Sequence, residues 1–384
     1  MTDADRLESR HEEYRSHVQS FADREIRPIV EEYEREGRFP VDIVNDLVDA
    51  GLYGITIPEE YGGEGRDYRS FQVAIEELSR VWKIPAGIVS VACSLVGTSL
   101  AEFGADWQRE EWLHSIATDG LVTGVSLTEP GAGSDAASLE TTARRDGNEF
   151  VIDGHKVWTS HGEVADFLIV VARTGTDGTH DDVSLIGIPG PQSVTGIEFV
   201  RDIPCMEGDA VVENEVKYNR ARVPVENVIG EEGNGFKYIM RALDVGRIGA
   251  AAQGVGIAQG AMDASVEFAD ERKQFDQSIR NFQGISFKLA DMAISVQAAR
   301  LLTTWAASSL DAGNRVSQEA AMAKTFATDT AMDVTTEAVQ VHGSRGYSKD
   351  YPVERFMREA KGTQIYEGTN EVNREVITRH LYDD

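Results

Sequence analysis

Residues 121–135 read LVTGVSLTEPGAGSD, a short run with β-branched residues that breaks into a turn crowded with Gly, Pro and hydroxyl groups. The texture of the chain changes here, so the architecture turns on this stretch. Upstream, residues 4–36 read as a polar amphipathic helix, interrupted around Gly37-Arg38-Phe39-Pro40. VDIVNDLVDAGLYG (41–54) places Val41, Val44, Leu47 and Val48 on one helical face, with Gly51 as the stop. IPEEYGGEG (57–65) is a loop, and 68–82, 84–104 and 106–119 read as three more helical segments. Downstream, LVTGVSL, EFVIDG, FLIVVAR, VSLIGIP and GIEFVR are short, β-branched and punctuated by Gly, Pro and Asp, which predicts strands. From about Gly233 helical periodicity returns over 235–271, 281–312 and 316–342. The expectation is an α+β chain of three domains: helical over 1–120, β over 121–225 and a helical bundle over 226–384. Within the last, GRIGAAAQGVGIAQGAMDA (246–264) is dense in small residues, which lets helices approach closely.

At 384 residues the chain is too long for one ordinary core, and 41% hydrophobic content is ample for packed domains. A net charge of −28 disfavours nucleic acid, since a polyphosphate partner needs basic patches. The 65 acids are spread through the chain against 37 bases, only nine of them Lys. That pattern fits a halophilic surface, where salt screens self-repulsion, and speaks of habitat rather than function. Cys93 and Cys205 suggest neither a disulfide framework nor a metal site, and the eight His do not cluster with acids, so no metal is expected. The start, MTDADRLESRHEEY, has no signal-peptide character. Residues 84–101 are uncharged and near the lower length of a membrane span, but Pro85, two glycines and several hydroxyls favour a buried helix. No membrane insertion and a cytoplasmic location are expected.

Several motifs can carry chemistry, and each has a plain structural meaning beside it. In SLTEPGAGSD (126–135), backbone N–H groups with Thr128 and Ser134 can donate to a phosphate or a flavin carbonyl; taken alone, such a loop is more often a simple turn. No helical pattern follows, so it is not the helix-opening dinucleotide fingerprint. In GHKVWTSHGEVADF (154–167), Trp158 offers a flat wall and Thr159 or Ser160 a hydroxyl, unless the indole is a cross-strand core aromatic. ALDVGR (242–247) sets Asp244 and Arg247 at i, i+3, the spacing of an ordinary helical ion pair. ERKQF (271–275) gives Arg272 and Phe275 near a helix end, where a surface salt bridge is the plain account. QVHGSRGY (340–347) ends a helix with Gly343 or Gly346 as the left-handed cap, and those glycines also admit a ligand close to the backbone. His342 alone is more often a packed histidine than a ligand. In QIYEGTN (364–370), Glu367 is either one more solvated acid or the base of an active site. No HExxH, CxxC or GxSxG occurs.

Taken in order and spacing, TEPGAGSD, KVWTS, LDVGR, ERKQF, FQGISFKLADMA, QVHGSRGY and IYEGTNEVNRE strongly resemble the acyl-CoA dehydrogenase family. LVDAGLYGITIPEEYGGEG extends the likeness over nearly the whole chain. The resemblance implies a helical N-terminal domain, a central β-barrel or sandwich and a C-terminal four-helix bundle, assembled as a homotetramer. It implies FAD between the β domain and the C-terminal helices, and α,β-dehydrogenation of a saturated acyl-CoA to a trans-2-enoyl-CoA. Electrons would pass to an electron-transfer flavoprotein. The glutamate that removes the α-proton matches Glu367; the helix position where other members carry their acid matches Gly246, which cannot serve. By resemblance, FAD is bound by Leu127, Thr128, Gly133, Ser134, Trp158, Thr159, Ser160, Arg272, Phe275, Gln283, Gln340, His342, Gly343, Ser344, Thr369 and Glu371. Arg272 and the Gln340–Ser344 turn would act on a neighbouring subunit's cofactor. Ser134, Asp244, Arg247 and Gly368 match positions lining the thioester and CoA.

Three departures stand out. The family's Trp-Ile-Thr-Asn is here Trp158-Thr159-Ser160-His161, with Ser160 keeping a hydroxyl for the flavin. Its Phe-Gly-x-Pro is Phe275-Asp276-Gln277-Ser278, predicting a reshaped loop, and its Gly-Gly is Gly343-Ser344. Residues 84–98, which border the acyl pocket by resemblance, carry no charge, so a dicarboxylic substrate such as glutaryl-CoA is disfavoured. Short or medium acyl groups, branched ones included, are expected. An acyl-CoA oxidase using oxygen, or a catalytically inactive acyl-CoA- and flavin-binding scaffold, are the alternatives.

Overall fold

The structure, a computed structural model, describes residues 9–176 and 178–382. These fall into two compact units, each assembled from separated stretches of chain: 9–31, 67–86 and 247–382 in the first, 32–66 and 87–246 in the second.

The first unit is helical. Its principal helices are α1 (Ser9–Phe21), α2 (Tyr68–Val81), α3 (Gly235–Glu271, from Arg247 onward), α4 (Gln283–Asp311), α5 (Ser317–His342), α6 (Val353–Thr363) and α7 (Asn370–Tyr382). Helix α2 is capped by Asp67, whose carboxylate accepts from the Ser70 N–H at 2.9 Å, and it is buried along most of its length. Two acids go inside with it. Glu76 is paired with Arg15 at 2.8 Å and Arg300 at 2.7 Å, and Glu77 with Arg15 and Arg80, so the buried charge is matched by guanidinium donors. The small residues of α3 act as the sequence suggests. A Cβ added at Gly256 would meet the Glu76 carbonyl oxygen at 2.1 Å, and one at Gly260 the Arg80 carbonyl oxygen at 2.3 Å. On another side, Gly254 would meet the Ala327 carbonyl oxygen of α5 at 2.9 Å. Helix α3 is therefore wedged against the backbones of α2 and α5, an approach only glycine permits.

The second unit is built on one eight-stranded mixed sheet: β1 (Thr123–Ser126), β2 (Thr142–Asp146), β3 (Glu149–Ser160), β4 (Phe167–Arg173), β5 (Val183–Pro189), β6 (Ile197–Asp202), β7 (Glu213–Pro224) and β8 (Val228–Ile229). Strand order is β6-β7-β3-β2-β4-β5-β8, and β1 lies parallel on β4, from Thr123 opposite Phe167 to Ser126 opposite Val170. Strand β5 covers all of one edge of β4, so β1 and β2 share the other, β2 touching only at Arg173. FLIVVAR reads as a continuous apolar run because β4 is buried on both faces up to Arg173. Phe150, Ile152, Val170, Ile186, Val216 and Tyr218 lie in the core beneath. The β3–β7 register breaks between Lys156 and Thr159, and that irregularity turns Trp158 out of the ladder at φ 59°. The uncharged stretch at 84–101 lies within Lys83–Phe103, which is long and apolar enough to cross a membrane, but 83% of its apolar 18-residue window is buried inside the protein.

Candidate active site

Helix α6 ends at Thr363 and α7 begins at Asn370, leaving a turn with Glu367 at φ 56° and Gly368 at φ 81°. Glycine takes such a conformation freely; glutamate does so only where its surroundings over-determine it. Here they do. Tyr366 donates its hydroxyl to Gln253 Oε1 of α3 at 2.6 Å, and the Lys83 ammonium lies 5.0 Å from the centre of its ring. Arg247 Nε donates to the Glu367 carbonyl at 3.4 Å. The Gly368 carbonyl accepts from Lys324 Nζ of α5 at 2.9 Å and from Asn373 Nδ2 at 2.7 Å, and the Asn370 N–H closes the turn on the Gln364 carbonyl at 3.1 Å.

The Glu367 carboxylate is engaged at its second oxygen by no donor. Its Oε2 is shut away from solvent and has no hydrogen-bond partner. Burial raises its pKa to about 7, with Arg247 and Lys324 pulling the other way. Arg247 and Asp244, one turn apart on α3, are both buried. Thr369 is half-buried and its hydroxyl accepts from the Val372 N–H at 3.3 Å. Exposed Glu371 is held below the usual carboxylate range by its own backbone N–H and by the Thr369 hydroxyl.

Two more predicted groups lie in the same unit. Arg272 leads into a hairpin in which β9 (Lys273–Gln274) pairs with β10 (Gln277–Ser278) across two residues, Phe275 at φ 51° and Asp276 at φ 64°. Positive φ at both central positions makes this a type I′ turn, which explains how Asp276 stands where the family usually has Gly. Phe275 projects from the tip, 89% exposed. A small core of Ile279, Val341, Phe268 and Phe282 packs this region against the end of α5, where Gln340, Gly343 at φ 61° and Ser344 are exposed, as is Gln283 at the start of α4. Of the two candidate caps it is Gly343 that takes positive φ. The His342 ring is not offered to a ligand: it stacks on Phe268 at 4.3 Å and its Nδ1 bonds the Ala338 carbonyl at 2.8 Å.

The second unit gathers the other predicted group. Fully buried Lys156 donates to the Leu127 carbonyl and to Glu129 Oε1, both at 2.8 Å. Glu129 also accepts from the N–H groups of Glu140 at 2.7 Å and Thr141 at 2.9 Å, and the Val157 N–H donates to the Thr128 carbonyl at 2.9 Å. The Leu127–Ser134 loop is thereby fixed to the strand carrying Trp158. Added Cβ atoms at Gly131 and Gly133 would meet nothing within 4 Å, and the Trp158 indole is 52% exposed, so it is no core aromatic. Two expected hydroxyls are otherwise engaged. Thr159 is buried with its Oγ1 on Ser126 Oγ at 3.0 Å, and Ser160 donates to Glu213 Oε1 at 2.8 Å, keeping only acceptor lone pairs. His161 holds φ 62° with its Nδ1 on the Thr123 carbonyl at 2.9 Å. Sequence reasoning missed Lys156, Glu129, Gln253, Lys83 and Lys324; the one available signal for Lys324 is its isolation as the only charge in AAMAKTFAT (320–328).

Sequence models of the N-terminal, middle and C-terminal domains of acyl-CoA dehydrogenases match residues 8–119, 124–214 and 233–382. The chain belongs to the acyl-CoA dehydrogenase family. It is 40% identical to a short-chain specific acyl-CoA dehydrogenase of Clostridium acetobutylicum over 96% of this chain and 97% of that one. To a 3-(aryl)acrylate reductase of Clostridium sporogenes it is 38% identical over 97% and 98%. A chain solved in work on the electron transferring flavoprotein of Acidaminococcus fermentans and flavin-based electron bifurcation superposes with a TM-score of 0.96 at 40% identity, covering 99% of both chains.

Members of the acyl-CoA dehydrogenase family are FAD-dependent flavoproteins. The residues present fit that group. A flavin needs flat apolar surface and backbone donors it can approach, and the chain offers an exposed indole, an exposed Phe275 ring, and Gly131 and Gly133 facing open space.

Proposed function

We propose that this acyl-CoA dehydrogenase removes the α-proton of a short- or medium-chain saturated acyl-CoA at Glu367 Oε2, giving the trans-2-enoyl-CoA. The observation that carries the proposal is a carboxylate oxygen closed to water, unpartnered, and raised to about 7 by burial. An α-proton of a thioester is a weak acid, so a desolvated and more basic carboxylate is the base the step requires. FAD, when bound, supplies the acceptor for the hydride leaving the β-carbon. Leu127, Thr128, Gly133, Ser134, Trp158 and the backbones at Thr159 and Ser160 would hold it, with Arg272, Phe275, Gln283, the Gln340–Ser344 turn, Thr369 and Glu371. Ser134, Asp244, Arg247 and Gly368 would bind the thioester and CoA. The lack of charge over 84–98 favours an uncharged acyl chain, straight or branched, over a dicarboxylic one.

An electron-transfer flavoprotein as acceptor is supported by the Acidaminococcus relative. A homotetramer is supported by Phe287, Ile294 and Leu301, exposed at seven-residue spacing on α4. Domain limits at 120 and 225, a cytoplasmic location and a halophilic habitat complete the proposal. The test is anaerobic titration of the flavin-loaded protein with butyryl-, octanoyl- and palmitoyl-CoA. Bleaching by one chain length is expected, and a flavoprotein that no acyl-CoA bleaches contradicts the reading. Stoichiometric peroxide in air would make it an oxidase. The reductase relative favours a second reading, reduction of a conjugated acrylate, distinguished by rapid reoxidation of the chemically reduced protein by an arylacrylate but not by an enoyl-CoA.

A further inference from the structure

Lys324 is fully buried on α5, in a chain with only nine lysines. Removing an ammonium from water costs several kcal/mol, so its position calls for a reason. Lys156, fully buried in the sheet unit, has a carboxylate at 2.8 Å. Lys324 instead places its hydrogen bonds on two uncharged oxygens of the turn that follows Glu367: the Gly368 carbonyl at 2.9 Å and Asn370 Oδ1 at 2.8 Å. Asn370 is fixed in turn, its Nδ2 donating to Thr328 Oγ1 at 2.9 Å and Asp329 Oδ1 at 2.7 Å, and both of these belong to α5. One helix thus grips the turn at Gly368 and at Asn370, the first residue of α7, just after the glutamate held at φ 56°.

We propose that Lys324 is a positioning residue for the base: it pins the Glu367–Asn370 turn through Gly368 and Asn370 and holds a positive charge beside the Glu367 carboxylate. This rests on the reading of Glu367 as the base. Other charges bear on the same place: Arg247 from α3, Asp329 from α5, Glu371 from α7, and Lys83 over the Tyr366 ring. Arg247 and Lys324 favour the ionised carboxylate and oppose the effect of burial. The Lys324 ammonium is itself lowered to about 7 by burial, with Glu367 acting to keep it charged. Each group therefore favours the charged form of the other, against the larger effect of burial.

The test compares Lys324→Gln, which keeps a donor without the charge, with Lys324→Met, which removes both. Two readouts are taken on the flavin-loaded protein: infrared titration of the Glu367 carboxyl band, identified by its loss in Glu367→Gln, and the pH profile of kcat and KM with butyryl-CoA. Lys324→Gln should move the carboxyl midpoint and the rise of kcat to higher pH, with KM unchanged. Lys324→Met should in addition lower kcat by about 100-fold, the scale of a misplaced reacting group. Should Lys324→Met fail to fold, Lys324→Gln carries the test. A folded variant that titrates and turns over as the wild type overturns the proposal. Full turnover by Glu367→Gln would instead overturn the base assignment, while leaving the infrared coupling to Lys324 intact.

Discussion

A carboxylate is a stronger base towards a carbon acid when water does not already solvate it. Glu367 meets that condition: its Oε2 is closed off and burial raises its pKa to about 7. The sign of the pH effect follows. Below that value the group is a neutral acid and cannot accept; above it the carboxylate is the active form. Turnover of the flavin-loaded protein should rise with pH through about 7 and then level, and a profile that falls over the same interval would contradict the assignment. Glu367 was legible in the sequence because IYEGT stands in order with the other motifs. Its electrostatic setting was not. Lys324 and Arg247 lie far upstream on other helices, and helical periodicity names a face without naming the partner across it. The side-chain partners of Thr159 and His342 were hidden for a similar reason. Their residue types suit a ligand, but Ser126 and Phe268, which claim their side chains, are set by strand register and helix packing.

At the scale of elements, the β9–β10 hairpin breaks a local rule. Asn and Gly suit a type I′ turn, yet a bulky Phe275 holds φ 51° with its ring exposed. Such a sacrifice points to function. Replacing Phe275 with Asn should stabilise the protein by about 1 kcal/mol, seen as a higher Tm without added flavin. The same change should weaken flavin retention on gel filtration, whereas unaltered retention would leave the ring without a role. In the sheet unit, Lys156→Met strands the Glu129 carboxylate in a buried site and should cost about 3 kcal/mol in chemical denaturation. A loss below about 1 kcal/mol would show that the backbone donors of Glu140 and Thr141 suffice. Strands β4 and β5 were plain in the sequence because continuous apolar runs need two buried faces. Strands β2 and β7 were not, since TARRD and ENEVKYNRARVP carry charges on the outward face and hide the alternation. Helices α6 and α7 also escaped, split by the turn chemistry of QIYEGTN.

For the molecule as a whole, the order of helix, strand and helix was legible because composition changes at Gly120 and again near Gly233. How the pieces pack was not: residues 67–86 join the C-terminal helices in one compact unit, and 32–66 join the sheet in the other. Linear reading groups residues by texture, whereas packing groups them by contact. The net charge of −28 is also a property of the whole. Screening relieves its self-repulsion, so the Tm should climb between dilute buffer and molar KCl, and a Tm that falls would remove the case for a halophilic surface. The central claim remains that Glu367 moves the proton. It is tested most directly by stopped-flow bleaching of flavin-loaded Glu367→Gln and wild type with butyryl-CoA under anaerobic conditions. The variant should keep its flavin and bind the thioester while bleaching more than about 100-fold slower, and bleaching at the wild-type rate would contradict the account.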